Sequence, residues 1–261
     1  MALIDCNFFS EVLGMNTTVK VILPEKNKLK DRSENKGRYP VLYLLHGFSD
    51  DNTAWTRKTA IERYVEDKGI AVVMPSGDLS YYTDMAHGKR YWTFISEELP
   101  RVVTEFFSIS SKREENFVAG LSMGGYGSIK LALKKPEKFK AVASFSGAVE
   151  IEKALNALPE QIRDGRRIIF NDIFGDYEKV LGSENDLVNL ANNFEDPQNN
   201  APRIYISCGR EDFFYNMNVE FKDILIKKGF DITYDESKGI HSWEYWDEAI
   251  QKCLKWFLEM L

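Results

Sequence analysis

Phe117-Val118-Ala119-Gly120-Leu121-Ser122-Met123-Gly124-Gly125-Tyr126-Gly127 decides how this chain is read. Three residues of strand character run into a Gly-x-Ser-x-Gly turn, and helical spacing follows over Gly124 to Lys134. Strand, sharp turn and helix form the setting in which a serine hydroxyl is lifted above the end of a parallel sheet. The glycines have a steric reason. A residue held in a strained backbone region needs neighbours without Cβ atoms, so Gly120 and Gly124 let strand and helix approach. The pentapeptide alone is modest evidence, since 17 Gly and 17 Ser in 261 residues put such a pattern at about 0.07 occurrences per chain by chance. A phosphate cradle is the competing reading, but no lysine stands where a phosphate-binding loop places one. A serine hydroxyl is a weak nucleophile at neutral pH, so the chemistry requires a base within hydrogen-bond reach.

Outward from this turn, β-branched runs alternate with helical spacing, which predicts an α/β fold with a mostly parallel central sheet flanked by helices. Val41 to Leu45 is apolar on both faces, as a central parallel strand covered on both sides must be. Further strands are expected at Thr18 to Leu23, Ile70 to Met74, Phe117 to Ala119, Ala141 to Phe145, Ile204 to Cys208 and Ile232 to Tyr234. Helices are expected at Ala54 to Asp67, Glu97 to Phe107, Gly124 to Lys134, Asn218 to Lys228 and Trp243 to Leu258. One domain over residues 1–261 accommodates them. Residues 147–201 break the rhythm, being long, acidic and asparagine-rich with scattered helical pattern, and are expected to be a lid-like insertion over the active site.

Composition narrows the function. With 34 basic and 40 acidic side chains the net charge is −6, which argues against a hold on nucleic acid or anionic membrane. The histidines (His46, His87, His241) and cysteines (Cys6, Cys208, Cys253) are widely separated, so no local zinc site can be written and no metal or cofactor is expected. The odd cysteine count reads as a reduced protein. No basic n-region opens the chain and no apolar run approaches the roughly 18 residues of a membrane span, so the cytoplasm is the expected compartment.

His241, in Gly239-Ile240-His241-Ser242-Trp243, follows the last strand and can overhang the carboxyl edge of the sheet, where ligands bind in open α/β folds. His46 ends a strand and is expected to hold its loop through backbone hydrogen bonds; His87 reads as a surface residue. The order serine, acid, histidine favours His241 as base. The acid is expected from the end of the preceding strand, at Asp212 with Glu211 as the local alternative; Asp235 and Glu236 read as solvated turn carboxylates. The acid accepts the Nδ1 proton of the base and fixes its tautomer. Backbone amides of Met123 and Phe48 are the expected oxyanion donors. Among the loop aromatics Trp55, Tyr81, Tyr82, Trp92, Phe213, Phe214 and Trp243, more than half are expected in the core. Trp55, Tyr82, Phe213 and Trp243 are the candidate substrate contacts.

At these residues the chain resembles α/β-hydrolase esterases of the esterase D type, above all bacterial tributyrin esterases and their feruloyl and acetyl-xylan esterase relatives. The resemblance rests on Val41 to Phe48, Ala54-Trp55, Tyr82-Thr83-Asp84, Glu98-Leu99-Pro100, Gly120 to Gly127, Ser144 to Gly147, Cys208-Gly209 with Asp212-Phe213, and His241 to Trp246. It implies Ser122 as nucleophile, His241 as base, Asp212 as acid and the Phe48 and Met123 amides as the oxyanion site. The expected function is a serine carboxylesterase for short acyl esters. Feruloyl or acetyl-xylan esterase activity on acylated carbohydrate is the alternative, with S-formylglutathione hydrolase and an inactive hydrolase-fold binding protein behind it. S-formylglutathione hydrolases resemble the chain less in the His46-Gly47-Phe48 loop. The expected partner is a small ester or acylated sugar, neutral at its reacting end; a homo-oligomer is left open.

Overall fold

Strands β1 (Ala2–Ser10), β2 (Met15–Leu23), β3 (Val41–Leu45), β4 (Ala71–Pro75), β5 (Asn116–Leu121), β6 (Ala141–Phe145), β7 (Arg203–Gly209) and β8 (Ile232–Ser237) join in one sheet. Their order is β1-β2-β4-β3-β5-β6-β7-β8 in the computed structural model, which describes residues 1–25 and 37–261. From β4 to β8 every pairing is parallel, and the β1–β2 hairpin adds antiparallel to β4 at one edge.

Alternation along each strand divides the core. Tyr43, Leu45, Val73, Val118, Val142 and Ile204 face one side, where the Leu99–Phe106, Met123–Lys134 and Tyr215–Lys228 helices contribute their buried residues. Leu42, Leu44, Val72, Phe117, Ala143 and Tyr205 face the other, against Trp55 and the Trp243–Leu258 helix. With both faces covered, the strand side chains leave water, at roughly 1.5–3 kcal/mol for each large apolar residue. No helix among the described residues is long and apolar enough to cross a membrane.

Several elements differ from the sequence reading. β1 was not expected; Ile4, Cys6, Phe8 and Ser10 are its better-buried residues while Asp5 and Asn7 are exposed, a half-solvated edge pattern of period two. The helix expected over Ala54 to Asp67 is two short ones, Ala54–Lys58 and Ile61–Tyr64. Extended Thr59 breaks it: its hydroxyl donates to the Trp55 carbonyl at 2.6 Å and accepts the Ile61 N–H at 3.1 Å, ending one helix and starting the next. Residues 147–201 are more helical than expected, with helices Ile151–Asn156, Glu160–Phe174, Leu187–Asn192 and Pro197–Asn200. A π-helical turn, Phe94–Glu98, precedes Leu99–Phe106 and carries a buried carboxylate. Glu98 accepts from the Ser10 hydroxyl and from the Glu11 N–H at 2.9 Å, fastening the β1–β2 turn to the body of the protein.

Candidate active site

Ser122 stands between β5 and the Met123–Lys134 helix with φ 51° and ψ −114°, a positive-φ conformation outside the regions allowed to L-residues, which costs a non-glycine residue energy. The surroundings hold it there. Its N–H donates to the Phe145 carbonyl at 2.9 Å, and its carbonyl accepts from Tyr126 and Ala148, each at 3.1 Å. A Cβ on Gly120 would collide with the Gly124 carbonyl, and one on Gly124 would lie 2.6 Å from the Leu45 carbonyl oxygen, so both glycines are required by close backbone approach.

The loop after β8 brings His241 over this turn. Its Nε2 lies 3.1 Å from Ser122 Oγ and its Nδ1 lies 2.9 Å from Asp212 Oδ2. With Nδ1–H donating to the carboxylate, Nε2 is left as acceptor for the serine hydroxyl. The Asp212 side chain is fully buried, and its other oxygen accepts the Phe214 N–H at 2.8 Å. The imidazole is boxed by Phe213, Phe214 and Trp246, with ring centroids at 4.4, 5.0 and 4.8 Å. Glu211, the alternative acid, instead accepts the Gly239 N–H at 3.0 Å while its own N–H donates to the Gly239 carbonyl at 3.0 Å, tying the acid loop to the histidine loop. Asp235 and Glu236 lie within β8 rather than in a turn, paired with Lys252 at 2.9 Å and Arg210 at 2.9 Å.

His46 is buried behind Gly47-Phe48. Its Nδ1 lies 2.8 Å from the Gly47 carbonyl, and its Nε2 accepts the Gly77 N–H at 2.8 Å, which puts the proton on Nδ1. Burial pulls its pKa below the ordinary histidine value, so it stays neutral. Met123 is the first residue of its helix, where backbone N–H groups have no intrahelical acceptor and point outward. Gly47, Phe48 and Ser122 line one cavity of about 310 Å³.

Trp55 and Tyr82, expected as substrate contacts, are core residues outside this cavity. They brace the loop from behind: Trp55 Nε1–H donates to the Leu45 carbonyl at 3.1 Å and Tyr82 O–H to the His46 carbonyl at 2.9 Å. Their polar groups thus meet acceptors at the buried end of β3. Phe213 and Trp243 do line the cavity. So do Tyr81, Leu158, Arg166 and Phe170, of which only Tyr81 stood among the sequence's loop aromatics. His87 is exposed and outside it.

The arrangement can transfer an acyl group: an oriented serine–imidazole–carboxylate chain opens into a small, largely aromatic cavity beside a helix N-terminus. The comparisons with known proteins agree. Residues 10–257 match the family model described as "Putative esterase". The acetyl esterase of Caldicellulosiruptor saccharolyticus is 31% identical over 261 residues, covering 98% of each chain. The substrate-bound structure of fluorophosphonate-binding serine hydrolase F from Staphylococcus aureus is 34% identical, with a TM-score of 0.87 and 98% of each chain covered. The apoenzyme structure of an S-formylglutathione hydrolase from Staphylococcus aureus is also 34% identical, with a TM-score of 0.85 and the same 98% coverage of each chain. That last likeness is stronger than the His46-Gly47-Phe48 loop led us to expect. With matches spanning nearly the whole chain and a serine–histidine–aspartate chain at the sheet's carboxyl edge, the protein belongs to the esterase family, has the α/β-hydrolase fold and is a carboxylic ester hydrolase.

Proposed function

We propose that this esterase hydrolyses short-chain acyl esters through an acyl-enzyme on Ser122. The observation that carries the reading is the unbroken chain from Ser122 Oγ through His241 to buried Asp212, at 3.1 and 2.9 Å. Ser122 Oγ attacks the ester carbonyl while His241 Nε2 takes its proton. The Phe48 and Met123 amides receive the oxyanion, and collapse expels the alcohol with the proton returned by His241. Water, deprotonated by His241, then adds to the acyl-enzyme and releases the acid. Asp212 orients the imidazole and stabilises the imidazolium formed in each proton transfer. A cavity of about 310 Å³ is at the small end of ligand sites and suits a short acyl group. Helices Ile151–Asn156 and Glu160–Phe174 and the link between them supply Ala154, Arg166, Phe170 and Leu158 to its wall, which supports reading residues 147–201 as a cap inserted into a single domain.

Ser122→Ala should abolish p-nitrophenyl butyrate hydrolysis and fluorophosphonate labelling while leaving the unfolding midpoint close to wild type. Labelling retained by the variant would sink the assignment. Stoichiometric labelling of the wild type separates an esterase from an inactive binding protein of the same fold.

The aromatic lining of Phe48, Tyr81, Phe170, Phe213 and Trp243 favours one second reading, a cinnamoyl ester, because an aromatic acyl group packs favourably among aromatic side chains. Rates on methyl ferulate against p-nitrophenyl acetate, butyrate and octanoate distinguish the two.

A further inference from the structure

The cavity at Ser122 has a cationic wall that the hydrolytic steps do not use. Arg166 enters it from the Glu160–Phe174 helix, half-buried. Its guanidinium carbon lies 3.8 Å from the centroid of the Phe48 ring, and Nη2 donates to Ser49 Oγ at 3.2 Å. A guanidinium has five N–H donors in a rigid fork, and stacking on an aromatic face fixes its plane while leaving its edge free to bind. Among the described residues no carboxylate lies within 4.0 Å of it, so this charge faces the cavity uncompensated.

The neighbouring arginines on the same helix are spent. Arg167 pairs with Asp164 at 3.2 Å, and Arg163 donates to the Asn156 and Leu158 carbonyls at 3.1 and 3.0 Å. Asp50, the acidic residue of the cavity wall, has Arg57 at 3.8 Å. Burial pulls the Arg166 pKa below its ordinary value, the mark of a cation losing water without gaining an anion. In a chain of net charge −6, acidic side chains were abundant enough to neutralise this position, and none does.

We propose that Arg166 is a specificity-determining residue that binds the carboxylate of an ester neutral at its reacting carbonyl and anionic at its far end. The assignment rests on the reading of Ser122 as the esterase nucleophile, since it places the carboxylate within the same cavity. A bidentate carboxylate–guanidinium pair would replace the water lost from Arg166 and orient the ester along the Phe48 wall.

The test compares wild type, Arg166→Gln and Arg166→Lys on two matched pairs. Mono-4-nitrophenyl adipate against 4-nitrophenyl hexanoate places the charge on the acyl side; 4-acetoxybenzoate against 4-acetoxybenzamide places it on the leaving group. The readout is the kcat/KM ratio of anionic to neutral ester within each enzyme, which cancels any loss of folded protein. Arg166→Gln should lower that ratio about 10- to 100-fold in one pair, mainly through KM, because a hydrogen-bonded charge is lost. Arg166→Lys should recover part of it. If the wild type cleaves the neutral esters but the ratio changes less than tenfold in both pairs, the Arg166 assignment is overturned alone. If the wild type cleaves no member of either pair, the esterase reading falls and this assignment falls with it.

Discussion

Raising the pH from 7 to 9 should stabilise this protein through a single lysine. Lys130, on the helix that begins after Ser122, is 1% exposed. Its ammonium donates to Thr83 Oγ1 at 2.8 Å and Asn185 Oδ1 at 2.7 Å, with the Trp92 and Tyr126 ring centroids at 5.0 and 5.7 Å. The nearby carboxylates are engaged elsewhere, Glu184 by Lys134 at 2.6 Å and Asp84 by the Thr93 hydroxyl at 2.6 Å. Burial without a counter-ion pulls the Lys130 pKa from 10.5 down to about 7. The unfolded chain therefore keeps this proton to about 10.5, whereas the folded chain releases it near 7. Between those values the unfolded state binds more protons, so stability rises with pH and is lost as pH falls back towards 7. At most about 1.4 kcal/mol per pH unit is available, and the gradual onset near pH 7 leaves a gain on the order of 2 kcal/mol by pH 9. Urea unfolding followed by tryptophan fluorescence at pH 7, 8 and 9, for wild type and Lys130→Met, measures it. The stability difference, wild type minus variant, should grow by that amount across the series. Parallel pH dependences for the two proteins would refute the reasoning. The site feels this group too, because Asn185 also accepts the Tyr126 hydroxyl at 2.7 Å, so Lys130 and Tyr126 together anchor the 147–201 segment to the serine-bearing helix.

Asp212→Asn should lower kcat on p-nitrophenyl butyrate by about 10⁴ with a near-native unfolding midpoint, because the amide favours the wrong imidazole tautomer. A loss below tenfold would mean that another group orients His241. Tyr82→Phe removes the donor to the His46 carbonyl and should cost about 1–2 kcal/mol of stability, read as a lowered thermal midpoint. An unchanged midpoint would show that this carbonyl finds another partner.

The parallel strands were legible in the sequence because burial on both faces demands continuous apolar runs. Val41–Leu45 and Ala141–Phe145 were read with their observed bounds. β1 carries only a weak alternation of Ile4, Cys6 and Phe8 with Asp5 and Asn7, because an edge strand buries one face and needs no continuous apolar run. The sequence pattern ends the last strand at Tyr234, since Asp235 and Glu236 have the character of turn residues; in the structure Lys252 and Arg210 pair with them and the strand continues. The break at Thr59 depends on one hydroxyl bonding in two directions, which helical periodicity does not encode.

The sheet class, the strained serine turn and the small set of residues able to act with Ser122 follow from local sequence. Steric rules and hydrophobic periodicity operate over a few residues, and Gly120, Ser122 and Gly124 satisfy them in place. Which polar and aromatic groups meet is set by how distant segments pack together. Trp55 and Tyr82 fell behind the sheet's edge as braces, while Tyr81, next in sequence to Tyr82, reached the cavity. Glu211 and Asp212 are adjacent, yet one clamps Gly239 and the other faces His241. Arg166 sits 44 residues from Ser122 in sequence, within a segment whose pattern resembles any solvated helix, and shares its cavity. Contacts across such separations are set by how helices pack over a sheet, a property of the whole chain that no local pattern carries.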